Sequence, residues 1–193
     1  MILTNCACCA APLPPLAAKQ CSRCKTRYCG LACQKKHWED GGHDKLCKKI
    51  RKGGGAEQYY AEKKCAEAVA VAVKACVTDT KGQTCYICTE AVHRSTKEGL
   101  VRGCACGDRH GVNHGNSGIA HVSCLAEQVK ILFAEAEENS LGCNALNARW
   151  QQWYLCSLCE QQYHGVVRCA LGWVCAGGRT WAGRRLMRLG YLQ

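Results

Sequence analysis

Cysteines in this chain come in closely spaced pairs, and the pairs fall into two series. Cys6 and Cys9, Cys21 and Cys24, Cys29 and Cys33, then His43 and Cys47 make up the first; Cys85 and Cys88, Cys104 and Cys106, His121 and Cys124, then Cys156 and Cys159 the second. Zinc takes four thiolate or imidazole ligands in a tetrahedron, and a two-residue gap between cysteines lets a tight turn aim both sulfurs at one metal. Two pairs complete a site. Each eight-ligand series therefore holds two ions, and four Zn2+ are expected in all.

Twenty cysteines in 193 residues also suit a secreted disulfide scaffold, the usual rival for such a composition. Three features argue against it. Residues 1–16 carry no basic stretch followed by an unbroken apolar run and a cleavage site, so a secretory signal is not expected. Histidine stands at two ligand positions, where a disulfide has no use for it. The mixture of CxxC, CxC and CxxxC is metal spacing rather than bridge spacing. No run approaches the roughly 18 to 20 apolar residues that span a bilayer. The expected setting is a reducing, intracellular one, cytoplasm or nucleus, with no membrane.

Modules this small bury too little apolar surface to fold on that alone, and metal binding then supplies folding free energy. The expected class is small zinc-stabilised α+β modules. Charge is spread unevenly: residues 1–55 carry eleven basic and three acidic side chains, residues 56–168 eleven and twelve, and residues 169–193 four and none. A four-thiolate zinc site carries −2 and a three-thiolate, one-histidine site −1, so metal lowers the formal +11 of the chain to about +5. Part of the basic excess, notably Lys25, Arg27, Lys35 and Lys36, then serves to compensate thiolate charge. A nucleic-acid partner, which needs a surplus basic face, is disfavoured.

From Cys21 the chain reads CSRCKTRYCGLACQKKHW, followed by His43 and Cys47. This stretch, with Cys6 and Cys9 before it, resembles the MYND zinc finger over residues 6–47. The resemblance implies a cross-brace in which Cys6, Cys9, Cys29 and Cys33 share one ion and Cys21, Cys24, His43 and Cys47 the other. It also implies docking of proline-containing peptide segments of other proteins, with Gln34 and Trp38 lining the groove. An exposed indole offers stacking area to proline, and an amide offers hydrogen bonds to a backbone rich in free carbonyls. The alternative for Trp38 is a plug in a very small core. Residues 39–42 lengthen the approach to His43 beyond the family's habit, so Gly41 and Gly42 have a bulge to absorb. Cys8 is an alternative ligand to Cys6 or Cys9, and His37 reads as a surface or packing residue. The three prolines fall at Pro12, Pro14 and Pro15. They make either a ligand mimic over the groove or, in preference, a rigid loop.

Gly53, Gly54 and Gly55 open a linker, and Cys65, Val69, Val73 and Cys76 follow at helical offsets, which predicts a helix over residues 56–77 with both cysteines in its core face. The alternation Val69, Val71, Val73 is the competing strand signal. The second series has fifteen residues between its first and second pairs and one residue inside the second pair. With the words CYIC, GCACG, AHVSCL and CSLCEQQYHG it resembles the RING-CH (variant RING) finger over residues 85–159; a PHD finger shares the ligand order but spaces its second pair more widely. The resemblance implies that Cys85, Cys88, His121 and Cys124 hold one ion and Cys104, Cys106, Cys156 and Cys159 the other. It further implies a ubiquitin ligase that docks a ubiquitin-conjugating enzyme through Ile87.

Departures are several. Gln128 stands where such fingers carry tryptophan, with Trp150 and Trp153 as candidate substitutes, and Glu160 stands where a basic residue is usual. Thirty-one residues separate Cys124 from Cys156 and include a predicted helix over residues 125–139 with Val129, Leu132 and Phe133 apolar. Tyr154 is expected in the core. His110 and His114 are expected in solvent, and Cys143, His164, Cys169 and Cys175 stand outside the framework.

The resulting organisation is a finger at 1–50, a Gly-rich and helical linker at 51–80, a second finger with a helical insertion at 81–168, and a basic tail at 169–193: two cross-brace fingers joined by a helical linker. The functional expectation is a zinc-binding protein-interaction module with no catalytic residues of its own. A ubiquitin ligase that captures substrate with its first finger is the alternative, and nucleic-acid binding through the first finger and Arg179, Arg184, Arg185 and Arg188 a third.

Overall fold

The computed structural model describes residues 3–14, 18–106 and 118–177. It divides into two compact units, Met1–Lys64 and Cys65–Gln193. Regular elements are short and mixed, as expected where metal clusters rather than sheets organise the chain.

In the first unit β1 (Lys19–Gln20) pairs antiparallel with β2 (Arg27–Tyr28), Lys19 opposite Tyr28. Helices α1 (Leu31–Glu39) and α2 (His43–Lys52) follow and pack on one another. The start of α3 (Ala56–Cys76) completes the unit. Cys6, Leu13, Cys21, Cys24, Tyr28, Cys47, Ile50 and Ala56 form its core, so half of that core is cysteine. The turn between α1 and α2 absorbs the Gly-Gly bulge in two ways. Gly42 takes a left-handed φ of 68°, and a Cβ on Gly41 would sit 2.9 Å from the His37 carbonyl oxygen. The proline segment is tied down: Leu13 is buried, and the Pro14 carbonyl accepts from Arg27 Nη2 at 2.5 Å. Pro15 lies outside the described residues.

One turn recurs at every CxxC pair. The first cysteine's N–H bonds to the carbonyl five residues on, at 2.8 Å from Cys6 to Ala11, 2.8 Å from Cys21 to Thr26, 3.0 Å from Cys85 to Glu90 and 2.8 Å from Cys156 to Gln161. Its carbonyl accepts from the residue four on, at 2.8–2.9 Å: Ala10, Lys25, Thr89 and Glu160. Those four residues take left-handed φ values of 59°, 64°, 61° and 58°, a conformation that costs a non-glycine residue about 1–2 kcal/mol. A fifth copy occurs without cysteine. His93 N–H bonds to the Glu98 carbonyl, Lys97 N–H to the His93 carbonyl, both at 3.0 Å, and Lys97 has a φ of 59°. Where a sulfur would sit, His93 Nδ1 lies 3.2 Å from Thr96 N and 2.8 Å from Thr96 Oγ1.

In the second unit β3 (Val101–Arg102) pairs antiparallel with β4 (Ile119–Ala120). Helices α4 (Val122–Glu138), α5 (Cys143–Gln151) and α6 (Gly165–Gly177) follow. The core gathers Leu100, Val101, Ile119, Val122 and Leu125 with Tyr163, Val167, Ala170 and Leu171 around buried cysteines. The α3 helix adds Ala72 and Cys76, with Val69 and Val73 half-buried beside them, so the helical periodicity outweighs the valine alternation. Cys65 is only half-buried and joins none of these clusters. The long spacer before Cys156 folds as the rest of α4 plus α5, packed together. Ala126, Val129 and Trp153 form their contact, with Trp150 against it. Tyr154, expected in the core, is 40% exposed; its neighbour Trp153, at 5%, is the buried aromatic. The boundary read after residue 168 falls inside α6, where Ala170 and Leu171 are buried. No helix among the described residues is long and apolar enough to cross a membrane.

Candidate metal centres

The sixteen expected ligand residues come together as four groups of four. Cys6, Cys9, Cys29 and Cys33 make the first, Cys21, Cys24, His43 and Cys47 the second, Cys85, Cys88, His121 and Cys124 the third, and Cys104, Cys106, Cys156 and Cys159 the fourth. Within each group the donor atoms all lie within 4.8 Å of one another. Sulfur–sulfur separations are 3.6 Å for Cys9–Cys29, 3.4 Å for Cys29–Cys33, 3.8 Å for Cys21–Cys47 and 3.6 Å for Cys106–Cys156. A zinc tetrahedron with bonds of about 2.3 Å has sulfur–sulfur edges of about 3.8 Å, whereas a disulfide is about 2.05 Å long. The measured edges match the tetrahedron.

Local structure explains how each donor is aimed. In the first group the recurring turn presents Cys6 and Cys9, while Cys29 and Cys33 flank the first turn of α1. In the second, the turn presents Cys21 and Cys24, and His43 and Cys47 stand one turn apart on α2. His43 Nε2 lies 3.4 Å from Cys24 Sγ, and the buried Thr26 hydroxyl lies 3.1 Å from the same sulfur. In the third, His121 is the residue at which α4 begins, and Cys124 lies in its first turn. His121 Nδ1 lies 3.3 Å from Cys88 Sγ and 3.6 Å from Cys124 Sγ. Two histidines, two different ring nitrogens. Cys8 is half-buried and joins none of the groups; Cys143, Cys169, Cys175 and His164 also stand apart from them. His110 and His114 lie outside the described residues.

Electrostatics set the thiols within each group apart. Burial opposes ionisation of Cys6, but backbone donors of Cys9, Cys29 and Cys8 outweigh it and hold the thiol at about 6. Its neighbour Cys33 is pushed up, chiefly by its contact with Cys29. Burial and the contact with Cys21 raise Cys47 to about 12. In the third group burial of Cys85 is outweighed by backbone donors and its thiol is lowered, while burial and Cys88 raise Cys124. In the fourth, hydrogen bonding from Cys104 holds Cys156 at about 5 and Cys104 itself is pushed up. In each group one thiol is thus held below the ordinary range and another above it. A divalent cation removes the conflict, because it stabilises every thiolate at once. Burial also lowers the pKa of His43 and His121, which favours the neutral imidazole a metal requires.

A family model described as MYND finger matches residues 6–47. Residues 6–47 are a MYND finger. No curated protein and no solved structure matches the chain. The MYND finger together with the second pair of groups gives the chain four Cys/His-rich sites able to hold four zinc ions. MYND fingers are protein-interaction modules.

On the MYND finger, Gln34 and Trp38 lie one turn apart on α1. Gln34 is half-buried, and Trp38 is 41% exposed with its ring 5.7 Å from that of His43. His37 packs inward, its Nδ1 3.0 Å from the hydroxyl of the fully buried Tyr28. In the second unit Ile87 is half-buried against the core. Gln128 Oε1 accepts from the Tyr86 hydroxyl at 3.4 Å, and that hydroxyl also lies 3.1 Å from Ser157 Oγ.

Two supporting residues carried no signal in the sequence. Gly118 has a φ of 65°, and a Cβ there would lie 2.6 Å from Cys104 Sγ, so only glycine lets β4 pass over the fourth group. The Glu98 carboxylate accepts from Ser123 N at 2.7 Å and Ser123 Oγ at 2.9 Å. It thereby caps the helix that carries His121 and Cys124.

Proposed function

We propose that the chain is a zinc-organised adaptor whose MYND finger docks proline-containing segments of other proteins on Gln34 and Trp38. The sixteen Cys and His residues act as ligands in two cross-braces, the first and third pairs of each series holding one ion and the second and fourth the other. The observation that carries the reading is Trp38. Its indole is backed by the His43 ring yet leaves two-fifths of its surface to solvent, a costly arrangement for an indole whose role is only to fill a core. Proline offers a rigid apolar face for stacking and loses little entropy on binding, while the Gln34 amide can pair with the free carbonyls of an extended segment. Titration of the zinc-loaded protein with a proline-rich peptide library is the test. Trp38→Ala is expected to weaken the best binder about ten-fold or more while four zinc ions are retained, as for loss of an aromatic anchor. Unchanged affinity would reject the groove.

A second reading rests on the order of ligands in the second unit and on Ile87 at the turn between Cys85 and Cys88. It is a RING-CH-type ubiquitin ligase that uses the MYND finger for substrate capture. Such a protein supplies docking and orientation rather than a nucleophile. Autoubiquitination across a panel of conjugating enzymes decides it: chain formation abolished by Ile87→Ala supports the ligase, and no chains with any enzyme leaves the adaptor alone.

A further inference from the structure

The segment that holds the MYND finger keeps charge that zinc does not use. Eleven basic and three acidic side chains lie in residues 1–55, and adding the −3 of its two zinc sites leaves about +5. That surplus has a location. Helix α2 exposes Lys45, Lys48, Lys49, Arg51 and Lys52 against one acid, Asp44. Lys48 and Arg51 line a depression with Asp44 and Cys47, and Arg23 reaches it from the turn between Cys21 and Cys24.

The side chains of Arg23, Lys48 and Arg51 make no ion pair or hydrogen bond to the described residues. Lys49, by contrast, lies over the Tyr59 ring at 6.0 Å, and Arg27 is held by the carbonyls of Leu3 and Pro14. Like charges three or four residues apart on a helix repel one another, so this concentration is a local cost that an anionic partner relieves.

We propose that this depression docks an acidic segment of a partner protein, at a surface separate from Gln34 and Trp38. Arg23 and Arg51 offer planar forks that take a carboxylate through two parallel bonds, and Lys48 adds a point charge to the same lining. Asp44 selects for peptide over nucleic acid. Its carboxylate opposes a continuous phosphate track but accepts a peptide backbone N–H. Among the described residues no aromatic ring lines the depression to stack a base.

The test is fluorescence anisotropy on the zinc-loaded full chain, with a fluorescein-labelled alternating Glu-Ser peptide and a thymidine oligonucleotide of equal charge as probes. Replacing Arg23, Lys48 and Arg51 together by Gln is expected to weaken peptide binding about thirty-fold, while replacing Lys19, Lys36 and Lys63 by Gln changes it less than about three-fold. Trp38→Ala is expected to leave this binding unchanged, which separates it from failure of the proline groove. Equal losses in the two triple variants would reduce the effect to bulk charge and overturn the proposal. So would tighter binding of the oligonucleotide, or no binding of the peptide. Zinc content by native mass spectrometry accompanies each variant; if the first triple loses metal, Lys48→Gln alone, an exposed side chain on the same face, is read against Lys36→Gln alone, with a loss of about three-fold expected for the first and none for the second, and equal losses again overturning the proposal.

Discussion

At the residue scale the chain accepts local strain wherever a CxxC pair aims its two sulfurs. Ala10, Lys25, Thr89 and Glu160 each sit in the left-handed region immediately after a ligand pair, and none is glycine. Glycine would occupy that region without penalty. Glu160→Gly is therefore expected to raise thermal stability by up to about 1 kcal/mol, and Glu160→Val to lower it by a similar amount or more; melting curves of the zinc-loaded variants check both. Gly118 is the opposite case. Gly118→Ala combines a disfavoured φ with a clash at Cys104 Sγ, and native mass spectrometry is expected to count three zinc ions instead of four. The ligands were legible in the sequence because zinc chemistry fixes both residue type and spacing. Gly118 was not, since its constraint comes from sulfurs twelve and fourteen positions away that only the fold brings over it.

At the element scale α4 shows where periodicity stops being informative. Its apolar positions foretell the buried Val129 and Phe133, and its end agrees with the predicted one to a residue. Its start, at Val122 rather than residue 125, is set by His121 and by a cap from Glu98, 25 residues upstream. No local pattern records such a partner. The exchange of Tyr154 for Trp153 has a related cause: those residues turn between α5 and the isolated bridge of Leu155 with Gln162, too short a stretch to fix which side chain points inward. Glu98→Ala leaves the Ser123 N–H and hydroxyl without their acceptor at a half-buried helix end. It is expected to cost the second unit about 1–2 kcal/mol in urea denaturation.

At the scale of the whole molecule, cysteine and metal stand in for the apolar interior that short chains lack. Six cysteines are buried in the core that gathers around β3 and β4, among aliphatic residues; the five that belong to metal groups are covered surface only while their charge is compensated. Chelation of the zinc-loaded chain is expected to abolish most helical circular dichroism in both units, and re-addition of four equivalents to restore it; a spectrum indifferent to chelator would overturn the zinc assignment. The sulfur-free turn at His93–Glu98 bears on how that restoration proceeds. Its backbone closes without a cysteine, so the closure seen at Cys6, Cys21, Cys85 and Cys156 does not need a sulfur at its first position. Loops this short close on the sub-microsecond scale. An arriving ion has also to join pairs tens of residues apart, a cost that grows only with the logarithm of the span.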